Sequence, residues 1–197
     1  MNTKISKKFY FQSGVHYSGV FVINNYDVEL FMDVNTDDMR EQNIAMDRIN
    51  YLFSLCLDNC VFVAEEDIDA IKLYSKAGMA VCPLPEEPFD QIIGAVLLSK
   101  FNIITEGKLI VTDVKISSKI CDDVIFYISY EEDFGLLLDK SKWWNENQPN
   151  ISTTNNKKNA KEKIVDLKKD SVDWNTLGLG WKEETKKGEI VFIPISK

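Results

Sequence analysis

The chain has 197 residues, 45% of them apolar and 27% charged, with a formal net charge of −8. No run approaches the roughly 18 uncharged apolar residues that a bilayer span needs, so no membrane-spanning helix is predicted, and no membrane partner is expected. The charge is uneven: residues 1–140 carry 12 Lys+Arg against 23 Asp+Glu, net −11, and 141–197 carry 11 against 8, net +3. An acidic body repels phosphate backbones, so nucleic acid is not the expected partner of that part.

From the start of the chain, residues 8–12, 20–23 and 27–34 alternate with period two, and Val28, Leu30 and Met32 oppose Glu29, Phe31 and Asp33. Asn24-Asn25 reads as the turn between the last two, giving an antiparallel meander. His16, flanked by Gly and Ser residues, is expected in an exposed turn. Asp38 with Glu41 has capping-box spacing, and Ala45, Ile49, Leu52, Phe53 and Cys56 recur at helical period, which predicts a helix over 38–57.

Val61-Phe62-Val63 reads as a short buried strand, and Ile68, Ile71 and Tyr74 as one helix face stopped at Gly78. Cys82-Pro83-Leu84-Pro85 is a stiff entry to a helix with Pro88 in its first turn and a wide apolar face of Phe89, Ile92, Ile93, Val96, Leu97 and Phe101. Strands follow at 109–116 and 124–130, the second apolar on both faces and so expected inside the sheet. Strands, helices, then strands predict an α+β fold: a mixed or antiparallel sheet packed against about three helices. The domain should close near residue 140, with Trp143-Trp144 as a core seal. A polar linker is expected over 141–170 and a tryptophan-containing tail with a terminal strand over 171–197.

Few constellations point to chemistry. Cys56, Cys60, Cys82 and Cys121 lack paired C-x-x-C spacing and read as reduced, buried thiols rather than zinc ligands. Glu106-Gly107-Lys108, with Asp90 and Asp113 in neighbouring segments, has the residue types of a Mg²⁺-dependent nuclease, in which carboxylates hold the metal and the lysine helps activate water. Chance E-x-K and a tight Gly turn explain the same residues. Glu65-Glu66-Asp67 and Glu86-Glu87 precede helices and read as solvated caps. Asp122-Asp123 reads as a turn, Ser117-Ser118 has no base beside it, and no phosphate-loop, dinucleotide or nucleophile-elbow motif is present. No cofactor is implied.

Trp174, Leu177, Leu179 and Trp181 concentrate apolar area in a polar surround, as peptide docking anchors do. Opposite charge on body and tail equally permits this segment to fold back on its own domain.

Leu84-Pro85-Glu86-Glu87-Pro88-Phe89-Asp90-Gln91-Ile92-Ile93-Gly94, followed by residues 104–109, resembles uncharacterised small proteins of tailed bacteriophages. The likeness covers about a quarter of the chain, carries no catalytic motif and implies only a viral setting, the host cytoplasm or the virion.

The reading these features favour is a non-enzymatic interaction or assembly protein that binds a host or virion protein through its acidic body and the tail residues Trp174, Leu177, Leu179 and Trp181. Self-association is open to it. The alternatives are the nuclease built on Asp90, Glu106, Lys108 and Asp113, and a ring or connector component of a virion.

Overall fold

The computed structural model describes residues 3–132, 134, 142–149, 151 and 173–182. Their fold is α+β: a curled, mixed six-stranded sheet in the order β4-β3-β1-β2-β5-β6, with three α-helices.

The spine is one long antiparallel hairpin, β1 (Thr3–Tyr17) and β2 (Val20–Val34), in unbroken register from Thr3↔Val34 to Tyr17↔Val20. Its turn is Ser18-Gly19, with φ of 49° and 77°. Two successive positive φ values match the right-handed twist of the flanking strands. Asn24-Asn25 therefore lies within β2 and is not a turn. Buried Asn24 accepts at Oδ1 from the N–H of Asn25 (3.0 Å) and of Ile120 (3.3 Å), so this turn-type residue serves a tertiary contact. His16 likewise sits in β1, not in an exposed turn.

Helix α1 (Met39–Tyr51) starts where expected, with Asp38 accepting from the Arg40 N–H at 2.8 Å. Glu41 does not complete a capping box, because its carboxylate takes the Thr36 hydroxyl (2.7 Å) and Lys108 (2.8 Å). A π-helical turn, Leu52–Leu57, continues α1 and drops Phe53 onto Phe9 with ring centroids 4.1 Å apart. Each such aromatic pair contributes about 0.5–1.5 kcal/mol beyond its area.

β3 (Val61–Ala64) and β4 (Val81–Leu84) run parallel to β1. The Cys82-Pro83-Leu84 stretch is thus an edge strand, a place where Pro is tolerated because one row of N–H groups goes unused. Helix α2 (Ile68–Lys76) covers the outer face of these strands, burying Ala70 and Tyr74 against Val61, Val63 and Val81. Ile68, expected on that buried face, is exposed. Helix α3 (Asp90–Thr105) packs beside α1 on the inner face and is apolar nearly all round, as a central helix must be.

β5 (Leu109–Ser118) pairs with β2 across a bulge opposite Phe31, and β6 (Phe126–Ser129) pairs with β5. The apolar β6 is an edge rather than an inner strand: α3 covers its Ile128, while Val124, Ile125 and Tyr127 are exposed.

Packing does not stop at residue 140. Trp143 and Trp144 are buried in a 3₁₀ turn, and the Trp143 indole donates to the Pro83 carbonyl at 2.8 Å. Buried Lys100 donates to the carbonyls of Trp143, Glu146 and Gln148 at 2.7–2.8 Å, folding the first part of the expected linker onto the body. The remainder of that linker, 152–170, and the terminal strand expected in the 171–197 tail lie outside the described residues.

Candidate functional site

The structure does not bring the nuclease set together. Asp90 opens α3 and Glu106 caps its other end, about 24 Å away at 1.5 Å per residue. Asp90 is buried and accepts the Ser118 hydroxyl at 2.8 Å. Glu106 receives Arg48 at 2.8 Å, and Lys108 is committed to Glu41. Asp113 lines a shallow depression of about 320 Å³ on the open sheet face with Lys4 and Asp33. Charge compensation accounts for Glu106 and Lys108, and among the described residues no group of three or more His, Cys, Asp or Glu could hold a metal.

The tail residues are brought together, but on their own domain. The Arg48 guanidinium lies between the rings of Trp174 (4.8 Å) and Trp181 (4.0 Å). Its Nε donates to the Leu179 carbonyl at 2.9 Å, and its Nη1 to the Ile104 carbonyl and to Glu106, both at 2.8 Å. Arg40 donates to the Trp181 carbonyl at 2.6 Å. Trp174 is buried, its ring meets Tyr51 edge-on, and its Nε1 donates to Asn147. Leu177 and Leu179 pack against the same core. A cation clamped by two indoles and two carbonyls needs a nearby carboxylate; hydrogen bonding from Arg48 and Asn147 outweighs burial and holds Glu106 below the usual carboxylate range. The cis arrangement uses the apolar area that docking in trans would have needed. Arg48 is the residue that sequence reading missed, because an Arg at helical spacing looks like a solvated one.

One of the exposed apolar surfaces is the hairpin tip. Val20 and Ile23 are 57% and 62% exposed, and Tyr17, Phe21, Val22 and Phe89 are also exposed. Strand alternation puts Tyr17, Val20 and Val22 on one face and Phe21 and Ile23 on the other. Gly14 allows this geometry: a Cβ there would stand 2.5 Å from the Phe21 ring, which lies across β1. Phe21 leans on Tyr74 (5.5 Å) and Tyr17 on Phe89 (5.1 Å).

Beneath the tip, His16 bridges two elements. Its Nδ1 meets the Tyr74 hydroxyl at 2.8 Å and its Nε2 meets Asp67 at 3.2 Å. With the Nε2 proton directed to Asp67, Nδ1 accepts from Tyr74. Burial, with the Asp67 charge adding to it, pushes the Tyr74 phenol up, so Tyr74 keeps its proton. This chain pins α2 to the hairpin and offers no activated nucleophile.

Carboxylates lie on the segments that contact the hairpin. Asp67 holds His16, Glu86-Glu87 precede Phe89, and Asp122-Asp123 follow Ile120, whose N–H is bonded to Asn24. Glu66, Glu86, Glu87, Asp122 and Asp123 are exposed, and Lys119 is paired to Asp123 at 2.7 Å. The hairpin thus carries an apolar tip with exposed carboxylates on the neighbouring segments, on a chain in which no described helix is long and apolar enough to cross a membrane. The chain matches no protein-family model and no curated protein.

Proposed function

We propose that this chain is a protein-binding module whose hairpin tip captures a partner carrying an apolar patch rimmed by Lys and Arg. One observation carries the reading: the hairpin tip leaves Tyr17, Val20 and Val22 exposed on one face, beside Phe89, and Phe21 and Ile23 exposed on the other, with exposed carboxylates on the segments that touch the hairpin. Contiguous exposed apolar surface bounded by charge is the anatomy of an interaction site, and the rim's sign selects the partner and steers its approach. An anionic lipid surface would be repelled by the same rim.

The tail then acts as a clasp on the domain rather than as the docking element. The proposal assigns no reaction and no cofactor. A viral setting, with a host or virion protein as the partner, is proposed on the resemblance of residues 84–94 and 104–109 alone.

The test compares the wild-type chain with a Val20→Ser/Ile23→Ser variant, each immobilised and exposed to host lysate, with mass spectrometry of what is held. The purified partner is then titrated at low and high salt. A partner that loses at least about tenfold in affinity to the tip variant, and weakens as salt rises, meets the expectation. A partner held equally by both chains overturns it. So does a discrete oligomer of the wild-type chain that the tip variant abolishes, since a second copy then occupies the tip.

A further inference from the structure

β2 pairs with β1 along its whole length but with β5 only from Tyr26 to Val34. Val20 to Ile23 therefore form an edge with no strand beside it among the described residues. The two-residue turn makes Tyr17↔Val20 a hydrogen-bonded pair, and such pairs alternate with non-bonded ones. Phe21 and Ile23 fall in the non-bonded pairs, opposite His16 and Gly14, and direct their N–H and C=O groups away from β1. β1 obeys the same alternation. Gly14 donates to the Cys60 carbonyl and the Gln12 carbonyl accepts from Asn59, both at 2.7 Å and both on the side away from β2.

The other edges of the sheet are guarded. β4 contains Pro83, which has no N–H and whose carbonyl accepts the Trp143 indole at 2.8 Å. At the start of β5 the Asn102 side chain takes both the N–H and the C=O of Val111 at 2.9 Å, as a paired strand would, and Thr105 takes the Leu109 carbonyl at 2.6 Å. β6 has only four residues, and its Ser129 carbonyl is turned onto the Glu132 N–H at 3.1 Å. Proteins blunt edges in such ways because an open row of main-chain groups recruits another strand. Val20-Phe21-Val22-Ile23 has no Pro, no Lys and no bulge, and every residue in it favours a strand.

We propose that the β2 edge at Phe21 and Ile23 is a strand-addition site, which takes an extended segment of another protein as an extra strand in the space beyond the end of β5. The proposal rests on the tip reading above and specifies how the tip binds. Main-chain bonds to Phe21 and Ile23 supply affinity, and the two faces of the tip select apolar side chains on the added strand. Charge selects its flank. Exposed Asp122 and Asp123 stand at the base of the edge, on the loop whose Ile120 N–H bonds to Asn24, and Lys119 neutralises Asp123. Asp122 is left to meet a Lys or Arg at the end of the segment.

The test uses the full chain, labelled for NMR, and two probes: the peptide Lys-Val-Thr-Val-Thr-Val-Lys, and the same peptide methylated at every backbone nitrogen. In the free chain the Phe21 and Ile23 amides should exchange faster than that of Val22, which is bonded to β1. The unmethylated peptide, at up to about 1 mM, should slow both amides and shift them more than Val22, and the methylated peptide should not. Ile23→Pro removes one outward N–H and no bond to β1, so it should weaken the peptide at least about fivefold relative to Ile23→Ala.

Equal binding of the two peptides, or no response at Phe21 and Ile23, overturns strand addition. So do amides at Phe21 and Ile23 that are already protected in the chain alone, since the chain's own segment or a second copy then fills the edge. The tip reading fails separately, when the Val20→Ser/Ile23→Ser variant holds the same lysate proteins as the wild-type chain. Strand addition fails alone when that variant loses its partner while the peptides do not discriminate.

Discussion

Replacing Arg48 by Lys should release the tail while leaving the domain folded. The guanidinium makes three charge-assisted hydrogen bonds, to Leu179, Ile104 and Glu106, and its Cζ lies 4.8 and 4.0 Å from the ring centroids of two indoles. An ammonium at the end of a linear stem reaches one of those acceptors and cannot stack on both rings. Two backbone carbonyls then lose a charged donor, at about 1.5–3 kcal/mol each before relaxation, and the two ring contacts weaken by about 0.5–1 kcal/mol each. The Glu106 side chain is 39% exposed, so water recovers most of its share of the loss. The two carbonyls and two ring contacts together lose about 4–8 kcal/mol before relaxation, and hydration of the released Leu179 carbonyl and of both indoles lowers this to about 3 kcal/mol or more, within the ~5–15 kcal/mol that a domain holds in reserve. Tryptophan fluorescence and limited proteolysis read it: Trp174 and Trp181 should shift to the red, and cleavage should appear within 173–182 at denaturant concentrations where the body is intact. A variant that keeps both indoles shielded and loses less than about 0.5 kcal/mol would show that the clasp is not held by Arg48.

Other expectations follow from the same geometry. Lys100→Met keeps the apolar stem but strips the donor from three carbonyls; urea denaturation should register a loss of about 3 kcal/mol, with faster hydrogen exchange over 142–149. Gly14→Ala forces the Phe21 ring off β1 and should cost about 1–3 kcal/mol, read as a lower melting temperature with a changed Phe21–Tyr74 contact by NMR. Glu106 has a folded pKa below its unfolded value, so its contribution to the clasp is present above pH ~4.3 and is lost as pH falls through the folded value. Acid titration of tryptophan fluorescence should therefore open the clasp below that pH before the body unfolds. Burial raises the Cys56 thiol to about 12, so the stability it contributes is present below pH ~8.5 and is lost as pH rises toward 12. Alkylation of native protein at pH 8 should spare Cys56, checked by mass spectrometry.

The elements with strong local periodicity were legible. Alternation placed Val28, Leu30 and Met32 on the buried face of β2, and the Asp38 cap and 3.6 period placed α1. The α+β class followed from element order. What escaped was tertiary in origin. Asn24 reads as a turn residue because nothing local reveals that its side chain will be buried against Ile120. β4 escaped because Pro83 suppresses a strand reading unless the strand is known to be an edge. β6 looked internal because apolar alternation does not report which neighbour covers a face. The site followed the same division: the acidic clusters and apolar hairpin residues were visible, but their meeting around one tip depends on a turn at Ser18-Gly19 and on Gly14 beneath Phe21. The nuclease set failed for the converse reason, since a 16-residue helix separates Asp90 from Glu106.

The most direct test of the binding account is hydrogen exchange on the chain alone and in complex with its purified partner. The hairpin tip, residues 17–23, and the segment around Phe89 should gain protection on binding, while 173–182 should be unchanged because the clasp is already closed on its own domain. Protection that appears over 173–182 and leaves the tip untouched would contradict the account and return the docking role to Trp174 and Trp181.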